Sequence, residues 1–371
     1  MIQDLLQNFE PQLYIGWLFL FAAVVAAITG VITFPAIKNV AEAKNLMDTP
    51  EERSVHHVRV PNLGGVGIYL SIVVAITMIG GVLDTKSLFL ILGGITILFF
   101  LGLKDDILVL SPRKKFIGQL LAAVLLIIFT DTRIMGLHGL FGVTIMPYAL
   151  SVVFTLFVYV LVINAFNLID GIDGLAGSLA LMAVIAFAWL FSYHDNVSMV
   201  VLGGAVCGAI IPFLFLNFSR RKKMFLGDTG SMILGFILAV MAVRFINASE
   251  QGASLFYNSS PIFVLGILFF PLLDTMRIFI IRIFVHKKSP FIADKNHIHH
   301  RFLEMGFSHK STTAMIVGLN ILLVASVWYG RSLDIHWQLL LLIGFGSFLY
   351  TAPFVIVEFK RKGIAAFQNF L

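Results

Sequence analysis

Residues 147–192 read PYALSVVFTLFVYVLVINAFNLIDGIDGLAGSLALMAVIAFAWLFS, two apolar runs joined by a short acidic segment. Each run is about 20 residues long, the length that an α-helix needs to cross the hydrocarbon core of a bilayer. The joint over 164–175 contains Asn and Asp residues and no base. The stretch therefore predicts two antiparallel transmembrane helices whose connection lies at one membrane face.

Apolar runs of the same kind follow one another along the chain of 371 residues. The composition is 59% hydrophobic and 12% charged, whereas soluble domains carry roughly 25% charged residues, and the mean hydropathy is +0.95. Runs of spanning length start near Leu13, Leu63, Ser87, Phe116, Pro147, Leu175, Val197, Ser231, Pro261, Thr312 and Trp337. We predict an all-α polytopic membrane helix bundle of about eleven transmembrane helices, in one domain over residues 1–371.

The basic residues give the chain a net charge of +6 but lie in short clusters between the apolar runs. They form no continuous basic stripe, so no nucleic-acid partner is predicted. With the loop after the first span placed inside, every base falls on the cytoplasmic side except Lys86, Arg133, Arg244 and Arg331. The positive-inside rule then predicts an outer N-terminus and a cytoplasmic C-terminus. Residues 1–12 contain no base, so we expect the first span to stay as an anchor rather than be cleaved as a signal peptide.

Five segments of the predicted cytoplasmic side carry the polar motifs and are expected to build the active site. These segments lie near 35–62, 104–115, 164–175, 217–231 and 285–311. In the first segment, Thr49, Pro50 and Glu52 form a capping box, which predicts a short interfacial helix. His56-His57 and the stretch Pro61 to Gly65 follow it. The single cysteine, Cys207, excludes a disulfide framework and a cysteine-based zinc site.

Carboxylates cluster at the predicted ends of several spans. Asp105 and Asp106 are adjacent and repel each other unless a cation or proton lies between them, so they are either an ordinary charge pair at a helix end or a metal or general-base site. Asn167, Asp170 and Asp173 would share one face of a helix. The glycines among them favour a broken turn instead, and either arrangement clusters oxygens suited to Mg²⁺ and sugar hydroxyls.

Three further motifs each leave alternatives open. Asp228, in the stretch Gly227 to Ser231, begins the eighth span either as its N-cap or as a functional carboxylate. The bases Arg113 to Lys115 oppose the dipole of the fourth span and serve either as a lipid anchor or as a contact for an anionic substrate. His297-Ile298-His299-His300 fits a zinc site, a contact for phosphate or substrate, or a structural role.

Several of these motifs lie just before or in the first turn of the even-numbered spans. Helix N-termini favour phosphate groups, and carboxylates beside a phosphate require a cation such as Mg²⁺. Together they predict a Mg²⁺–diphosphate site at the depth of a lipid headgroup. Such a site suits phosphoryl-type transfer between a soluble nucleotide compound and a membrane lipid.

The motifs, taken in order, resemble those of the polyprenyl-phosphate N-acetylhexosamine-1-phosphate transferases. The resemblance extends over about residues 48–303. It rests on Asp-x-Pro-x-x-Arg at 48–53 and Pro-x-Leu-Gly-Gly at 61–65, the Asp-Asp pair at 105–106, Asn-x-x-Asn-x-x-Asp-Gly-x-Asp-Gly-Leu at 164–175, Phe-x-Gly-Asp-x-Gly-Ser at 225–231 and Ser-Pro-Phe-x-x-Asp-x-x-His-Ile-His-His at 289–300. The His-Ile-His-His form resembles the bacterial UDP-GlcNAc branch.

The resemblance implies that undecaprenyl phosphate and UDP-GlcNAc react to undecaprenyl-diphospho-GlcNAc and UMP. This is the first membrane step of a cell-surface polysaccharide. It also implies Mg²⁺ as the cofactor, with Mn²⁺ as an alternative, and a multi-pass protein of the bacterial inner membrane with a cytoplasmic active site. The alternative activity within the family is phospho-MurNAc-pentapeptide transfer or transfer from another UDP-HexNAc. The oligomeric state is left open, with a homodimer as one possibility.

Residue roles follow from the matching positions. The resemblance implies catalytic residues at Asp105, Asp106, His297, His299 and His300. It implies metal ligands at Asp228, Asp170 and Asp105. It implies substrate contacts at Asn164, Asn167, Asp170, Asp173, Phe225, Asn217, Lys115, His57, Arg277 and Arg282. In these roles Asp105 would deprotonate the lipid phosphate and Phe225 would lie near the uracil.

A second class of function, an ion-coupled transporter, also places acids within a membrane protein. A transporter needs polar groups near the bilayer midplane, often in broken helices of both halves. Here the acids gather at one face and no inverted repeat is visible. The sequence therefore favours an enzyme over a transporter.

Overall fold

The structure, a computed structural model, describes residues 10–48, 60–80, 86–248, 256, 259–285, 287 and 297–368. Thirteen α-helices lie in these ranges. They are α1 (Ile15–Ala43), α2 (Gly64–Ile79), α3 (Lys86–Leu108), α4 (Pro112–Thr130), α5 (Tyr148–Leu168), α6 (Leu175–Ser192), α7 (Val197–Asn217), α8 (Gly227–Ala248), α9 (Ser260–Ile267), α10 (Phe269–Ile280), α11 (Ile298–Glu304), α12 (His309–Gly330) and α13 (Ile335–Gln368). The predicted all-α polytopic bundle is confirmed.

Each of the eleven predicted runs coincides with a helix or, in one case, a bent pair of helices. Among the described helices, eight are long and apolar enough to cross a membrane. A ninth span results if α9 and α10, which meet at an angle of 75°, are counted together. α2 is apolar but has only 16 residues, and α4 opens with three bases. The count of eleven spans and the orientation therefore stay predictions.

α8 forms the centre of the bundle. It packs against α2, α3, α5 and α6, and nearly all of its side chains are buried. A helix that is apolar all round is stable only when it is enclosed in this way or faces lipid. Apolar side chains are exposed around the outside of the bundle, including Trp17 on α1 and Phe215 on α7, as contact with lipid requires.

The helix ends that carry the polar motifs meet at one end of the bundle, which we call the motif end and define by Asp106, Asp170 and Asp228. α5 ends at Leu168 and α6 starts at Leu175, so the predicted broken turn between them is confirmed. α3 ends and α8 begins beside this turn, because both helices pack against α5 or its neighbours.

A short β ladder at the motif end was not predicted. Strand β1 (Met47–Asp48) pairs antiparallel with β2 (Val60–Pro61). Two residues per strand are too few to show the alternating pattern that identifies a strand in a sequence. The interfacial helix predicted from Thr49 to Glu52, and His57, lie outside the described residues.

Candidate active site

Backbone hydrogen bonds join the segment before α8 to the segment before α2. The Phe225 N–H donates to the Pro61 carbonyl at 2.9 Å, and the Phe225 carbonyl accepts from the Gly64 N–H at 2.9 Å. The Gly65 N–H donates to the Leu226 carbonyl at 2.9 Å. This pairing fixes where α8 begins and brings Asn62 next to its first turn.

Asp106 caps the N-terminus of α8 from a different helix. Its Oδ1 accepts the Asp228 N–H at 2.7 Å, and its Oδ2 accepts the Thr229 N–H at 3.1 Å and the Thr229 hydroxyl at 2.5 Å. Asn62 Nδ2 donates to the same carboxylate at 3.3 Å. The first N–H groups of a helix have no partner within the helix, and Asp106 supplies it. The N-cap role considered for Asp228 therefore belongs to Asp106.

Two glycines permit this approach. Gly227 has a φ of +74°, and a Cβ there would lie 2.8 Å from both carboxylate oxygens of Asp106. A Cβ on Gly102 of α3 would collide with the Thr229 backbone of α8. Because neither glycine has a side chain, α3 and α8 come close enough for Asp106 to reach the α8 N-terminus.

Asp228 faces a cluster of polar side chains from three other helices. Lys115 of α4 lies with Nζ 3.2 Å from Asp228 Oδ2 and also forms an ion pair with Asp105 of α3. Asn167 of α5 donates through Nδ2 to Asp228 Oδ1 and, at 3.0 Å, to the Ser231 hydroxyl. Four of the residues predicted for the site, from four helices, are thus in direct contact.

Asp170 adds a further carboxyl group near this cluster. It lies half-buried in the turn between α5 and α6. Burial, followed by the neighbouring charges of Asp228, Asp106 and Asp173, raises the pKa of its carboxyl well above the usual value. Carboxylates that raise one another's pKa in this way are stabilised by a cation. Asp105, Asp170 and Asp228 carry carboxylate oxygens, the ligand type that Mg²⁺ prefers.

Asp173, at the end of the same turn, is held by two basic side chains. Lys223 Nζ lies 2.7 Å from its Oδ2, and His309 Nδ1 lies 3.3 Å from the same oxygen. Burial acts to raise the pKa of Asp173, but the hydrogen bonds from His309 and Lys223 outweigh it and lower the pKa to about 2. The Thr313 hydroxyl also donates to the Asp173 carbonyl at 2.8 Å. Asp173 therefore ties α12 to the turn between α5 and α6.

The histidine motif is organised around Asp274 of α10, which the sequence interpretation did not assign to the site. Asp274 is completely buried. Its Oδ2 lies 2.9 Å from His297 Nδ1 and 3.2 Å from His299 Nδ1, and its Oδ1 accepts the Ile298 N–H at 2.7 Å. An acid inside an apolar run was the available signal, because a buried carboxylate needs partners.

The histidine motif reaches the turn between α5 and α6. A Cβ on Gly171 would lie 2.8 Å from His299 Nε2 and 3.5 Å from the His300 ring. Burial, only partly offset by Asp274, lowers the pKa of His299. The structure thus places His299 and His300 beside the backbone of the residue that follows Asp170.

Other predicted residues use their polar groups within the fold. Asn164 Nδ2 donates to Gln119 Oε1 at 2.8 Å and to the Val160 carbonyl at 2.7 Å. Asn217 Oδ1 accepts the Gly174 N–H at 2.5 Å, and its Nδ2 donates to the Met224 carbonyl at 2.8 Å. Both side chains hold neighbouring segments together.

The remaining predicted residues lie around this cluster. Phe225 is half-buried, with Lys223 Nζ 5.5 Å from the centre of its ring. Arg277 lies half-buried on α10, and Arg282 is buried in a π-helical turn over Ile281–Val285 that continues it. His57 lies outside the described residues.

A cavity of about 520 Å³ opens next to Asp173. Its lining is mainly basic and is contributed by Lys38, Glu42, Val60, Pro61, Asp173, Phe218, Ser219, Arg220, Arg221, Lys223, Ser308, His309 and Lys310. Two of its charges are balanced locally, because Lys38 lies 3.5 Å from Glu42 and Lys223 pairs with Asp173. The surplus of positive charge suits an anionic ligand.

Comparison with known proteins identifies the family of this chain. The sequence model of glycosyl transferase family 4 matches residues 88–246, which run from α3 to α8 and include the cluster around Asp228. A Bacillus subtilis (strain 168) protein named probable undecaprenyl-phosphate N-acetylglucosaminyl 1-phosphate transferase is 31% identical over 300 residues, 80% of either chain. The chain belongs to the polyprenyl-phosphate N-acetylhexosamine-1-phosphate transferase family.

Two further relatives carry related names. The undecaprenyl-phosphate alpha-N-acetylglucosaminyl 1-phosphate transferase of Escherichia coli (strain K12) is 29% identical over 323 residues, 84% of either chain. The decaprenyl-phosphate N-acetylglucosaminephosphotransferase of Mycobacterium leprae (strain TN) is 30% identical over 321 residues, 79% of this chain and 80% of its own. Membership of the N-acetylhexosamine-1-phosphate transferase family confirms the resemblance that the motifs indicated.

Proposed function

We propose that this protein transfers GlcNAc 1-phosphate from UDP-GlcNAc to undecaprenyl phosphate, giving undecaprenyl-diphospho-GlcNAc and UMP. An oxygen of the lipid phosphate attacks the phosphorus that carries GlcNAc, and the bond from this phosphorus to the oxygen of UMP breaks. The observation that carries the proposal is the cluster of Asp105, Lys115, Asn167 and Asp228, because it gathers metal ligands and a cation at the end of a membrane bundle. The names of the three relatives support the acceptor and the sugar.

Asp105, Asp170 and Asp228 are the residues that would hold Mg²⁺. The bound ion supplies neutralisation of the diphosphate charge. Lys115 holds an ammonium group between Asp105 and Asp228, where it orients both carboxylates and attracts the anionic substrates. His299 and His300 lie beside Gly171 and would contact the diphosphate.

The lipid phosphate needs little activation, because it is already an anionic nucleophile. Alignment with the phosphorus and charge neutralisation are sufficient for a one-step displacement. Asp105 removes the remaining proton of a singly ionised lipid phosphate. Asp106 takes no part in proton transfer, because both of its oxygens hold the first turn of α8.

The donor nucleotide enters from the basic cavity beside Asp173. Its diphosphate passes Lys223 toward Asp228, and its base lies against Phe225, whose ring is half-buried next to Lys223. The acceptor phosphate arrives from the lipid at the motif end. The proposal includes a motif end that faces the cytoplasm at the bacterial inner membrane, because UDP-sugars are cytoplasmic compounds.

The test uses purified protein, undecaprenyl phosphate, Mg²⁺ and separately labelled UDP-GlcNAc, UDP-GalNAc and UDP-MurNAc-pentapeptide. We expect label from UDP-GlcNAc to enter the organic phase with release of one UMP per lipid product. Removing divalent ions with a chelator abolishes transfer, and Mg²⁺ or Mn²⁺ restores it. Absence of transfer from every UDP-sugar would overturn the proposed activity, and transfer from UDP-MurNAc-pentapeptide alone would move the protein to the other branch.

One variant with its control tests the site, and a trapping experiment tests the mechanism. Asp228→Ala is expected to abolish transfer while the protein still folds, whereas Asp334→Ala, which changes an exposed acid outside the motif end, leaves transfer unchanged. Full turnover by Asp228→Ala would contradict the metal-ligand role. A phosphorylated aspartate trapped at Asp105 or Asp106 during turnover would replace the one-step displacement with a two-step mechanism.

A further inference from the structure

We propose that Asp274 is a positioning residue that holds the histidine motif for contact with the diphosphate. The inference rests on the proposed function, because it concerns the same site. Among the described residues, Asp274 has hydrogen bonds to His297, Ile298 and His299 and does not line the cavity beside Asp173. It acts through His297 and His299, which it joins to a single carboxylate.

The contacts of Asp274 account for its position in the bundle. A completely buried carboxylate on an apolar helix is stable only when its oxygens are hydrogen-bonded. Three donors from consecutive residues meet it: the His297 ring, the Ile298 N–H and the His299 ring. Since the Ile298 N–H can only donate, Oδ1 is committed as an acceptor, and Oδ2 faces the Nδ1 atoms of both rings.

This arrangement determines which edge of His299 faces the substrate. An ionised carboxylate only accepts hydrogen bonds, so each Nδ1 that faces Asp274 carries a proton. Nε2 of His299 is therefore turned away from Asp274, toward the turn that follows Asp170. This nitrogen is buried and has no hydrogen-bond partner among the described residues. The diphosphate oxygen that completes its hydrogen bonding would lie beside Gly171, where the absence of a side chain leaves space next to Nε2.

Asp274 also balances charge. When His299 donates from Nε2 to a diphosphate oxygen, its ring carries a proton on both nitrogens and a positive charge. The Asp274 carboxylate, 3.2 Å from Nδ1, stabilises that charge as the buried acid of a catalytic triad does for its histidine. The ring of His297 stacks on His299 with centroids 5.2 Å apart and shares the carboxylate, so both rings are held by one anchor.

A metal site is the competing interpretation of the same three side chains. One ligand atom from each of Asp274, His297 and His299 lies within 4.8 Å of the others. The Ile298 N–H donates to the second oxygen of Asp274 and makes the carboxylate part of the start of α11. This contact favours a hydrogen-bonded anchor over a metal ligand. Elemental analysis of the purified protein distinguishes the two interpretations.

The first experiment is Asp274→Asn, which keeps the side-chain size but replaces one carboxylate oxygen by an amide NH₂. We expect kcat to fall about 10–100-fold, as for substitutions behind a functional histidine. We expect KM for undecaprenyl phosphate to change less than about threefold. In ¹⁵N-histidine NMR spectra of the full-length protein, two rings lose the signal of a protonated Nδ1. Asp334→Asn, at the exposed Asp334–His336 pair, is the matched control and leaves kcat unchanged.

The second experiment is a mutant cycle in a background that carries both His297→Asn and His299→Asn. The Asn amide approximates Nδ1 and keeps a donor toward Asp274, but it has no counterpart of Nε2. If Asp274 acts through the two rings, adding Asp274→Asn to this background lowers kcat by less than about threefold further. A further fall as large as that caused by Asp274→Asn in wild type would overturn the positioning role, since Asp274 would then act independently of both histidines.

The outcomes separate this inference from the proposed function. Wild-type protein that transfers no sugar phosphate contradicts the proposed function, while the ¹⁵N spectra still report whether Asp274 sets the proton positions of the rings. Unchanged spectra in Asp274→Asn overturn the inference. A stoichiometric transition metal that is retained through purification and lost in His297→Ala also overturns it. If Asp274→Asn does not fold, the protonated Nδ1 signals of wild type, assigned with His297→Asn and His299→Asn, decide the question.

Discussion

Lys115 on α4 and Asp228 on α8 form an ion pair with 3.2 Å between Nζ and Oδ2, although 113 residues separate them in the chain. The same ammonium group contacts Asp105 on α3. One cation therefore connects three helices at the motif end and holds two of the proposed metal ligands. The proposed function requires a balance between this ammonium and a divalent ion at Asp105 and Asp228.

Replacing Lys115 tests that balance. Lys115→Met removes the charge but keeps most of the side-chain length, so Asp105 and Asp228 repel each other unless a metal binds. We expect tighter Mg²⁺ binding by calorimetry and a fall in kcat/KM of at least about 100-fold, because an electrostatic contact to the reacting phosphates is lost. The control is Lys114→Met, at an exposed neighbouring position, with near-normal activity. Unchanged Mg²⁺ affinity and turnover in Lys115→Met would contradict the arrangement.

Asp106 is expected to act through the fold of α8. Asp106→Ala leaves the N–H groups of Asp228 and Thr229 without their acceptor, which costs about 1–3 kcal/mol. It also releases the turn that positions Asp228, so transfer is lost together with thermal stability. Asp106→Asn keeps one acceptor oxygen, so it should retain part of the transfer activity and part of the thermal stability. Normal melting of Asp106→Ala in detergent, with Asp131→Ala at an exposed acid as the control, would show that the cap is dispensable.

Asp173 is expected to make stability depend on pH. The pKa of its carboxyl falls from 3.8 to about 2 in the folded protein, so its ionised form stabilises the fold. This contribution, about 2 kcal/mol, is fully present above pH 3.8 and is lost as the pH falls through 2. The melting temperature of wild type should therefore exceed that of Asp173→Asn at pH 7. The difference between the two melting temperatures should shrink as the pH approaches 2. A difference that does not change with pH would mean that the ion pair with Lys223 is not its source.

Gly102 is expected to set the spacing between α3 and α8. Gly102→Ala introduces a Cβ that collides with the Thr229 backbone, so the two helices must separate, at a cost of about 1–3 kcal/mol. Because Asp106 then withdraws from the α8 N-terminus, transfer should fall more than the melting temperature suggests. Gly93→Ala on the same helix is the matched control, since the nearest atom to its Cβ, Leu125 Cδ2, lies 4.0 Å away. Equal transfer activity and equal melting temperature of the two variants would contradict the close approach of α3 and α8.

Much of the fold was predictable because a bilayer imposes a simple length rule. Every predicted apolar run is helical, and residues 169–174 within the joint form the broken turn that its glycines indicated. The ladder formed by β1 and β2 was not predictable from two residues a side. The exact number of spans does not follow from the helices alone, because α2 is short and α9 and α10 meet at an angle of 75°.

The residue types of the site were predictable, but their individual duties were not. Asp105 and Asp106 are adjacent and look equivalent in the sequence, yet one contacts Lys115 and the other caps α8. Consecutive residues on a helix point about 100° apart, so they meet different neighbours. Asp274 was missed because its partners lie beyond the end of α10, in the motif that starts at His297.

The sequence by itself determined that this chain is a polytopic helical membrane protein, and its motifs determined the family. Both are properties of local composition and order, which need no knowledge of which helices touch. Only the tertiary structure decided that Lys115 meets Asp228, that Asp106 serves α8 and that Asp274 anchors His297 and His299. These contacts join distant segments, and they follow from the packing of α3 and α5 against α8, of α4 against α3 and α5, and of α10 against α5, which no single stretch of sequence encodes.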